Sequence, residues 1–284
     1  MLLRNYFQIL LTSSLWGSSF LLMKLSLVEL DPFHISFYRI YIGMLFLNLF
    51  ITNIDKLSKK DHLNIALVGL LWMSLPFYLF AASEETISSS LAGLINGTTP
   101  IFISIIGVLF FSQKITKTQK FYLILGFVGI YLLTFGFNKL NIDLEVGTFL
   151  ALIASISYGF AANIIQPLIN KFGALNVLKI ALRYGSIFSF ILFIFNSQVI
   201  IPTVSESLFP ILLLGVGSSG IAFLSFYKLI GDVGSIIGSI TIYLVPIFSI
   251  FFGYIFLNEE TTFIQVAGIV TIIFSAYMFS NKDS

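Results

Sequence analysis

The sequence predicts an all-α integral membrane protein whose ten transmembrane helices form two inverted repeats of five helices. Three observations predict this fold class. The composition is apolar, with 57% hydrophobic and only 10% charged residues and a mean hydropathy of +1.00, whereas soluble proteins are about a quarter charged. The hydrophobic residues are gathered in long runs. The second half of the chain also repeats features of the first.

Long apolar runs divide the chain into ten predicted membrane spans. A helix needs about 20 apolar residues to cross a hydrocarbon core about 30 Å thick, and each run is about that long. Strands of a membrane β-barrel would be about 10 residues of alternating polarity, whereas these runs are continuous. The connections leave no room for a soluble domain. The predicted spans are 6–27, 33–52, 63–82, 87–111, 119–137, 147–168, 175–197, 207–227, 234–257 and 262–280.

Basic residues are concentrated on one side of the predicted membrane. The first apolar run continues to Lys24 without a cleavage site of small residues, so we interpret it as an uncleaved span rather than a signal peptide. With the N-terminus inside, the outer loops hold Lys139 alone. The cytoplasmic ends hold Arg4, Lys56, Lys59, Lys60, Lys114, Lys117, Lys120, Lys171, Lys179, Lys228 and Lys282. Because Lys and Arg favour the cytoplasmic side, both termini are predicted to be cytoplasmic.

The second half of the chain repeats the first, most clearly in spans 4 and 9. At an offset of 146 residues, Pro100 matches Pro246 within "TTPIFISIIGVLFFSQKITKTQKF" and "LVPIFSIFFGYIFLNEETTFIQVA". Residues 1–140 and 141–284 are each predicted to form one repeat of five spans. Because five is odd, the second repeat enters the membrane from the opposite side. Inverted repeats of this kind are typical of secondary transporters.

Three segments carry a resemblance to a known family. The motifs "LWGSSF" in span 1, "SSSLAGLINGTTPIF" in span 4 and "GSIIGSITIYLVPIFSIFFGYIFLNE" in span 9 resemble the EamA family of the drug/metabolite transporter superfamily. The chain keeps the last glutamate of the motif as Glu259, but Gln113 stands at that place in the first half. The resemblance implies ten helices with cytoplasmic termini, in the inner membrane of a bacterium. It also implies transport of amino acids or other small metabolites, often outward, without naming the substrate.

Polar and aromatic side chains near the middle of the spans are the candidate substrate-binding residues. Aromatic walls with a few amide and hydroxyl groups suit a small, partly apolar solute. Trp and Tyr also favour membrane interfaces, and that alternative applies most directly to Tyr78 and Tyr227. The candidates are Trp16, Ser19, Met23, Trp72, Tyr78, Asn96, Tyr158, Asn163, Gln166 and Tyr243. Trp16 and Tyr158 stand at corresponding places in the two halves and are predicted to form facing walls.

Two prolines and two arginines are candidates for moving parts. Pro100 and Pro246 lie inside spans 4 and 9, where proline kinks a helix, and they are predicted hinges or simple kinks. Arg39 and Arg183 occupy corresponding positions and are predicted gating residues. For Arg39 the alternative is that it extends to the interface or pairs with a nearby glutamate. For Arg183 the alternative partners are Asp232 or a substrate carboxylate.

Small residues recur at four-residue spacing in several spans. Span 4 has Ser89, Gly93 and Gly97, and span 6 has Ser155 and Gly159. In lipid, such residues let helices approach closely. Close packing is the simpler interpretation, and it is compatible with helices that slide during transport.

The sequence lacks the residues that several other functions require. It has no cysteine, no phosphate-binding GxxxxGKS loop and no HExxH or paired-carboxylate cluster, so we expect no cofactor or metal and consider a membrane enzyme unfavoured. Without an acidic residue in mid-span, facilitated diffusion or exchange is slightly favoured over proton antiport, unless a cavity reaches Glu84 or Glu85.

The predicted function is therefore secondary transport of a small metabolite by alternating access. An amino acid or related amine is the favoured substrate, carried by an exporter or exchanger. The alternatives are an uptake permease for a nucleoside, vitamin or nucleotide-like metabolite, and a channel. The expected partners are a small-molecule substrate and the lipid bilayer, with no nucleic acid. The chain is expected to act as a monomer or weak homodimer.

Overall fold

The computed structural model describes residues 2–51, 57–135, 146–194, 201, 207–257 and 262–280, and the regular secondary structure in these ranges is helical. We label the helices in chain order. They are α1 Leu3–Ser26, α2 Pro32–Asn48, α3 Lys59–Ser83, α4 Ser89–Phe110, α5 Lys117–Phe135, α6 Val146–Phe172, α7 Ala174–Ile194, α8 Leu208–Val233, α9 Ser235–Phe256 and α10 Phe263–Ser280.

Seven of the described helices are long and apolar enough to cross a membrane. They are α1, α3, α4, α6, α7, α8 and α9. The described part of α2 is 17 residues long, and α10 contains the shorter apolar stretch Val266–Ser275. The described part of the chain is thus all-helical, with several helices that can cross a membrane, and the count of ten spans stays a prediction.

Local sequence signals determine where two of the helices begin. α2 starts at Pro32, whose missing N–H is not needed in a first turn. The Oδ1 atom of Asp31 accepts hydrogen bonds from the backbone N–H groups of Phe33 at 2.9 Å and His34 at 3.0 Å. At α3, Ser58 and Asp61 cap each other's backbone N–H groups reciprocally. α2 then carries Arg39 and α3 carries Trp72 to buried positions.

Glycines let neighbouring helices approach closely, as the small-residue pattern predicts. A methyl group at Gly17 of α1 would lie 2.3 Å from Cβ of Phe248 in α9. A methyl group at Gly93 of α4 would lie 2.4 Å from Oγ of Ser249. Since real contacts are longer than these, larger residues at either position would push α9 away.

Corresponding helices of the two halves depart from regular α-helix at corresponding positions. α3 contains a π-helical segment at Gly69–Ser74, and α8 contains one at Leu214–Ala222. α4 is interrupted at Gly97 and Thr98, and α9 at Ser239 and Leu244. Pro100 and Pro246 then fall in the first turn of the segments that begin at Thr99 and Val245, where proline is tolerated. Each proline therefore directly follows a break in its helix.

Candidate functional site

A central cavity lies where seven helices of both halves meet. The space open to a water-sized sphere is about 30 Å³, room for only one or two water molecules. In this conformation the cavity is therefore nearly closed, and a metabolite would need the helices to move apart. It is lined by Trp16, Ser19, Phe20, Met23, Arg39, Trp72, Phe77, Phe80, Asn96, Tyr158, Phe223 and Ile242.

Trp16 forms one wall of the central cavity and is held from behind by α8. Its ring centroid lies 5.1 Å from that of Phe223 and 4.8 Å from that of Phe226. The indole Nε1 donates a hydrogen bond to the backbone oxygen of Ser218 at 3.2 Å, inside the π-helical segment of α8. Because both the ring and its N–H group have partners, the orientation of Trp16 is well defined.

Trp72 and Tyr158 form another part of the cavity wall. Trp72 lies in the π-helical segment of α3, and π-helical turns are frequent at functional sites. Its ring centroid is 6.2 Å from that of Tyr158 and 5.6 Å from that of Tyr227. Tyr158 also packs against Phe80 at 5.8 Å. Trp16 and Tyr158 thus line the same cavity, and the prediction that they form facing walls of a solute pathway stays a prediction.

Arg39 brings a positive charge into this aromatic cavity. The residue is only 3% exposed. Its Nε donates a hydrogen bond to Oγ of Ser219 at 3.2 Å, and its Nη1 lies 3.3 Å from the sulfur of Met23. The guanidinium carbon is 3.7 Å from the centre of the Phe77 ring, within the range of a cation–π interaction. The interpretation that Arg39 extends to the membrane interface is wrong, because α2 begins two turns earlier and carries it inward.

The polar groups of the cavity are few. Ser19 donates its hydroxyl hydrogen to the backbone oxygen of Trp16 at 2.6 Å. Asn96 is 5% exposed, and its Oδ1 lies 3.4 Å from the hydroxyl of Thr99. The polar contacts that the cavity can offer a solute are thus set mainly by Arg39, Asn96 and Tyr158.

A second cavity, which we call the vestibule, lies at the ends of α4, α6 and α8. The space open to a water-sized sphere is about 500 Å³, which is large enough for a small metabolite. Its polar lining residues are Gln113, Lys114, Gln119, Asn163, Gln166, Asn170 and Ser235. The vestibule is thus wide and lined by amides and hydroxyls, unlike the central cavity.

A network of hydrogen bonds crosses the vestibule between the two halves of the chain. Nε2 of Gln113 donates to Oδ1 of Asn163 at 2.7 Å and to Oγ of Ser235 at 3.1 Å. The backbone N–H of Ser235 donates to Oε1 of Gln166 at 2.9 Å. Asn163 in turn donates to backbone oxygens of its own helix and of α4. The network therefore ties the end of α4 to α6 and to the start of α9.

The predicted binding residues separate into three groups. The first group lines the central cavity and consists of Trp16, Ser19, Met23, Trp72, Asn96 and Tyr158. Asn163 and Gln166 line the vestibule instead. Tyr78 stacks on Phe33 at 4.5 Å, and Tyr243 is fully buried with its hydroxyl donating to the backbone oxygen of Leu123 at 3.1 Å. Both tyrosines line neither cavity, because their helix faces point toward neighbouring helices.

The two predicted gating arginines lie in different environments. Arg39 is buried in the central cavity, whereas Arg183 is exposed and donates to Oδ1 of Asn48 at 3.2 Å. The alternative ion pair of Arg183 with Asp232 is not among those of the described residues: Arg183 bonds to Asn48, and Asp232 pairs with Arg4 at 2.7 Å. Tyr227, which we interpreted as an interfacial residue, is fully buried against Trp72.

Several residues of the two cavities were not predicted from the sequence. Phe20, Phe77, Phe80 and Phe223 line the central cavity, but with 32 phenylalanines in the chain no spacing distinguishes them. Gln113 did carry a signal, since it replaces the glutamate that stands in the second half as Glu259. Glu84 lies just beyond the end of α3, is fully buried and interacts electrostatically with Arg39, so it is the glutamate nearest to the alternative that Arg39 pairs with an acidic residue.

Comparisons with known proteins agree with this architecture. A model of the EamA-like transporter family matches the chain twice, over residues 3–135 and 145–281. The uncharacterized transporter YoaV of Bacillus subtilis is 25% identical over 93% of this chain and 92% of its own. An uncharacterized transporter of Archaeoglobus fulgidus is 22% identical over 99% of this chain and 100% of its own. A crystal structure with 14% identity superposes with a TM-score of 0.77, covering 96% of this chain and 95% of that one.

Proposed function

The chain belongs to the EamA-like transporter family, and from that premise we propose that it is a secondary transporter that moves a small metabolite by alternating access. The family and the names of the relatives make it a membrane transporter and not an enzyme. The substrate that we propose first is an amino acid or related amine. The alternative is uptake of another small solute, such as a nucleoside, vitamin or nucleotide-like metabolite.

The central cavity is the observation that carries this proposal. It lies inside the helix bundle, where helices from both halves converge, and it is almost closed. Its aromatic walls and few polar groups are those of a site for a small, partly apolar solute. A transporter needs a site that both sides of the membrane reach in turn, and a cavity between the two halves provides one when the halves move apart.

Two inverted repeats are the arrangement that we propose for these halves. The family model matches once in each half. The π-helical segments begin at Gly69 and Leu214, and the breaks before the two prolines fall at Thr98 and Leu244. The offsets of 145 and 146 residues agree with the repeat in the sequence. The proposed hinges at Pro100 and Pro246 would then let the second segment of α4 tilt in one of the two states, inward-facing or outward-facing, and the second segment of α9 tilt in the other.

The vestibule leads toward one side of the membrane, and its hydrogen-bond network would act as a gate. With cytoplasmic termini, the ends of α4 and α6 that form the vestibule lie on the cytoplasmic side. Breaking the contacts of Gln113 with Asn163 and Ser235 would separate the end of α4 from α6 and α9. A solute could then pass from the vestibule to the central cavity, which suits an exporter or exchanger in the inner membrane of a bacterium. We propose a monomer or weak homodimer as the working unit.

A binding screen followed by counterflow tests the proposed function. The purified protein would be heated with amino acids, amines, nucleosides and vitamins, and solutes that raise its melting temperature would be tested for exchange in proteoliposomes. We expect at least one solute to stabilise the protein and to exchange saturably against its unlabelled form. Flux that never saturates would support a channel instead. If no small solute stabilised the protein or exchanged, the transporter function would have to be abandoned.

A further inference from the structure

We infer that Arg39 binds an anionic group of the substrate, so that the central cavity selects solutes in which a carboxylate is joined to an apolar body. This inference rests on the proposed transport function and narrows its substrate class. It separates carboxylates, including amino acids as zwitterions, from amines that lack an acidic group. It also changes the role of Arg39 from a gating residue to a specificity-determining residue.

Arg39 is buried and takes part in none of the direct ion pairs among the described residues. The direct ion pairs of the described residues are Arg4 with Asp232, His34 with Asp31 and Lys171 with Asp61, and Glu84 interacts electrostatically with Arg39. Burial of a charge is costly unless the charge is paired and hydrogen-bonded. A cavity that keeps such a charge next to aromatic rings therefore has a place for an anion.

The hydrogen-bonding capacity of Arg39 is also only partly used. A guanidinium has five N–H donors in one plane. Nε is bonded to Ser219, and Nη1 faces the sulfur of Met23, which is a weak acceptor. Nη2 has no hydrogen bond within the described part of the chain. Because Phe77 covers one face of the guanidinium plane, the free donors at its edge remain for a ligand.

The neighbouring basic residues do not offer the same capacity. Nζ of Lys24 donates to the backbone oxygens of Glu84 at 2.5 Å and Ile87 at 3.4 Å, so it caps the end of α3 and does not line the cavity. Arg183 is exposed and bonded to Asn48. Among the described residues that line the central cavity, Arg39 is the one that carries a charge.

A carboxylate is the group that fits these donors best. Arginine binds carboxylates through two parallel N–H···O bonds, which an ammonium group cannot reproduce. Trp16, Trp72 and Tyr158 would then contact the apolar body of the solute. An amine without an acidic group would instead bring a second positive charge close to Arg39, and the absence of water would strengthen that repulsion.

The chain offers a direct reporter for the test. Its two tryptophans, Trp16 and Trp72, both line the central cavity, so quenching of intrinsic fluorescence follows occupancy. The probes are matched solutes that share one apolar body: L-leucine, L-leucinamide, isovalerate and isoamylamine, and the corresponding four compounds that carry a phenyl ring. Dissociation constants would be measured for the wild type, Arg39→Gln and Arg39→Lys.

For the wild type we expect the acids to bind about tenfold or more tightly than the amides and amines, as for a hydrogen bond between charged groups. Arg39→Gln should bring the ratio of acid to amide affinity close to one. Arg39→Lys should give an intermediate ratio, since it keeps the charge but loses the bidentate contact. The ratio is measured within one variant, so a general loss of stability does not change it. If Arg39→Gln does not fold, the intermediate ratio of Arg39→Lys still tests the contact.

Amides or amines that bind the wild type as tightly as the acids would overturn the inference. The same holds if neither acid of either series binds, or if a folded Arg39 variant keeps the wild-type ratio. Counterflow in proteoliposomes keeps this result separate from the proposed function. If solutes exchange without preference for a carboxylate, the transport function is supported and the proposed anion site is refuted. If no solute exchanges, the result counts against the transport function itself.

Discussion

The central cavity and the vestibule are both lined by residues from the two halves of the chain, but they differ in almost every property that matters for binding. The central cavity has aromatic walls, one charge among its described lining residues and space for one or two water molecules. The vestibule has amide and hydroxyl groups and about 500 Å³ of open space. The difference suggests a division of labour, in which the closed cavity recognises the solute and the open vestibule controls access.

The reason is the effect of water on polar contacts. In a space without water, a hydrogen bond or charge that is not satisfied is expensive, so the central cavity can reject a solute that leaves Arg39 or Asn96 without a partner. In the vestibule, water replaces any contact that is broken. The bonds between Gln113, Asn163 and Ser235 can therefore open at low cost, which suits a gate rather than a selective site.

The replacement Trp16→Ala would test recognition by the central cavity with the largest expected effect. Removing this buried aromatic wall should weaken substrate affinity by about 10- to 100-fold, since a fully buried aromatic side chain contributes about 1.5–3 kcal/mol. The measurement is KM in counterflow for a solute identified in the screen.

Phe256→Ala is the matched control for Trp16→Ala. Phe256 is 63% exposed on α9, at a position that faces lipid rather than solute. This variant should keep the wild-type KM. An unchanged KM for Trp16→Ala, with normal expression and elution, would mean that recognition does not take place at this wall.

The sequence predicted how deep a residue lies in the membrane better than it predicted which way its side chain points. Trp16, Trp72 and Tyr158 were selected because they lie in the middle of apolar runs, and all three line the central cavity. Tyr243 was selected on the same ground and points away from it. Hydropathy determines how far along a helix a residue lies, whereas the face it presents depends on packing between helices.

The internal repeat pointed to matched irregularities near Pro100 and Pro246, but it predicted neither the π-helical segments of α3 and α8 nor the surroundings of the matched side chains. The breaks before Pro100 and Pro246 follow from the matched prolines. Arg39 and Arg183 are equally well matched in the sequence, yet one is buried and the other exposed. Arg39 is buried because α2 packs against the π-helical segment of α8, where Ser219 accepts its hydrogen bond. A π-helical segment leaves no clear pattern in a single sequence, so the burial of Arg39 could not be predicted.

The replacement Gln113→Leu would test the vestibule as a gate. It removes two hydrogen bonds across the two halves, each of which contributes about 0.5–1.5 kcal/mol, so the closed state should become less favoured by about fivefold or more. The chain has no native cysteine, and a cysteine introduced by Ser19→Cys can therefore report access to the central cavity. We expect Gln113→Leu to raise the rate at which this cysteine reacts with a small maleimide by about fivefold or more, because the closed state is less favoured by that factor.

Gln119→Leu is the matched control for this experiment. Gln119 also lines the vestibule, but its hydrogen bonds are with Thr116 one turn earlier, so its loss should leave the labelling rate unchanged. Equal rates in Gln113→Leu and the parent protein would remove the gating role from the network. Equal increases in both variants would assign the effect to a general loosening of the vestibule.

The pair Tyr158→Phe and Tyr243→Phe would sharpen the boundary of the central cavity, with a smaller effect. The Tyr158 hydroxyl has no hydrogen bond within the described structure and lies on the cavity wall, whereas the Tyr243 hydroxyl is bonded to Leu123 and joins α9 to α5. Tyr158→Phe should weaken substrate affinity about two- to tenfold with little change in melting temperature. Tyr243→Phe should lower the melting temperature and leave affinity unchanged, because it loses an internal hydrogen bond contributing about 1 kcal/mol. Both quantities are measured on the same purified proteins.

If Tyr243→Phe lost as much affinity as Tyr158→Phe, the recognition site would have to extend past the wall of the cavity toward α5. The contrast between one selective cavity and its surroundings would then no longer hold.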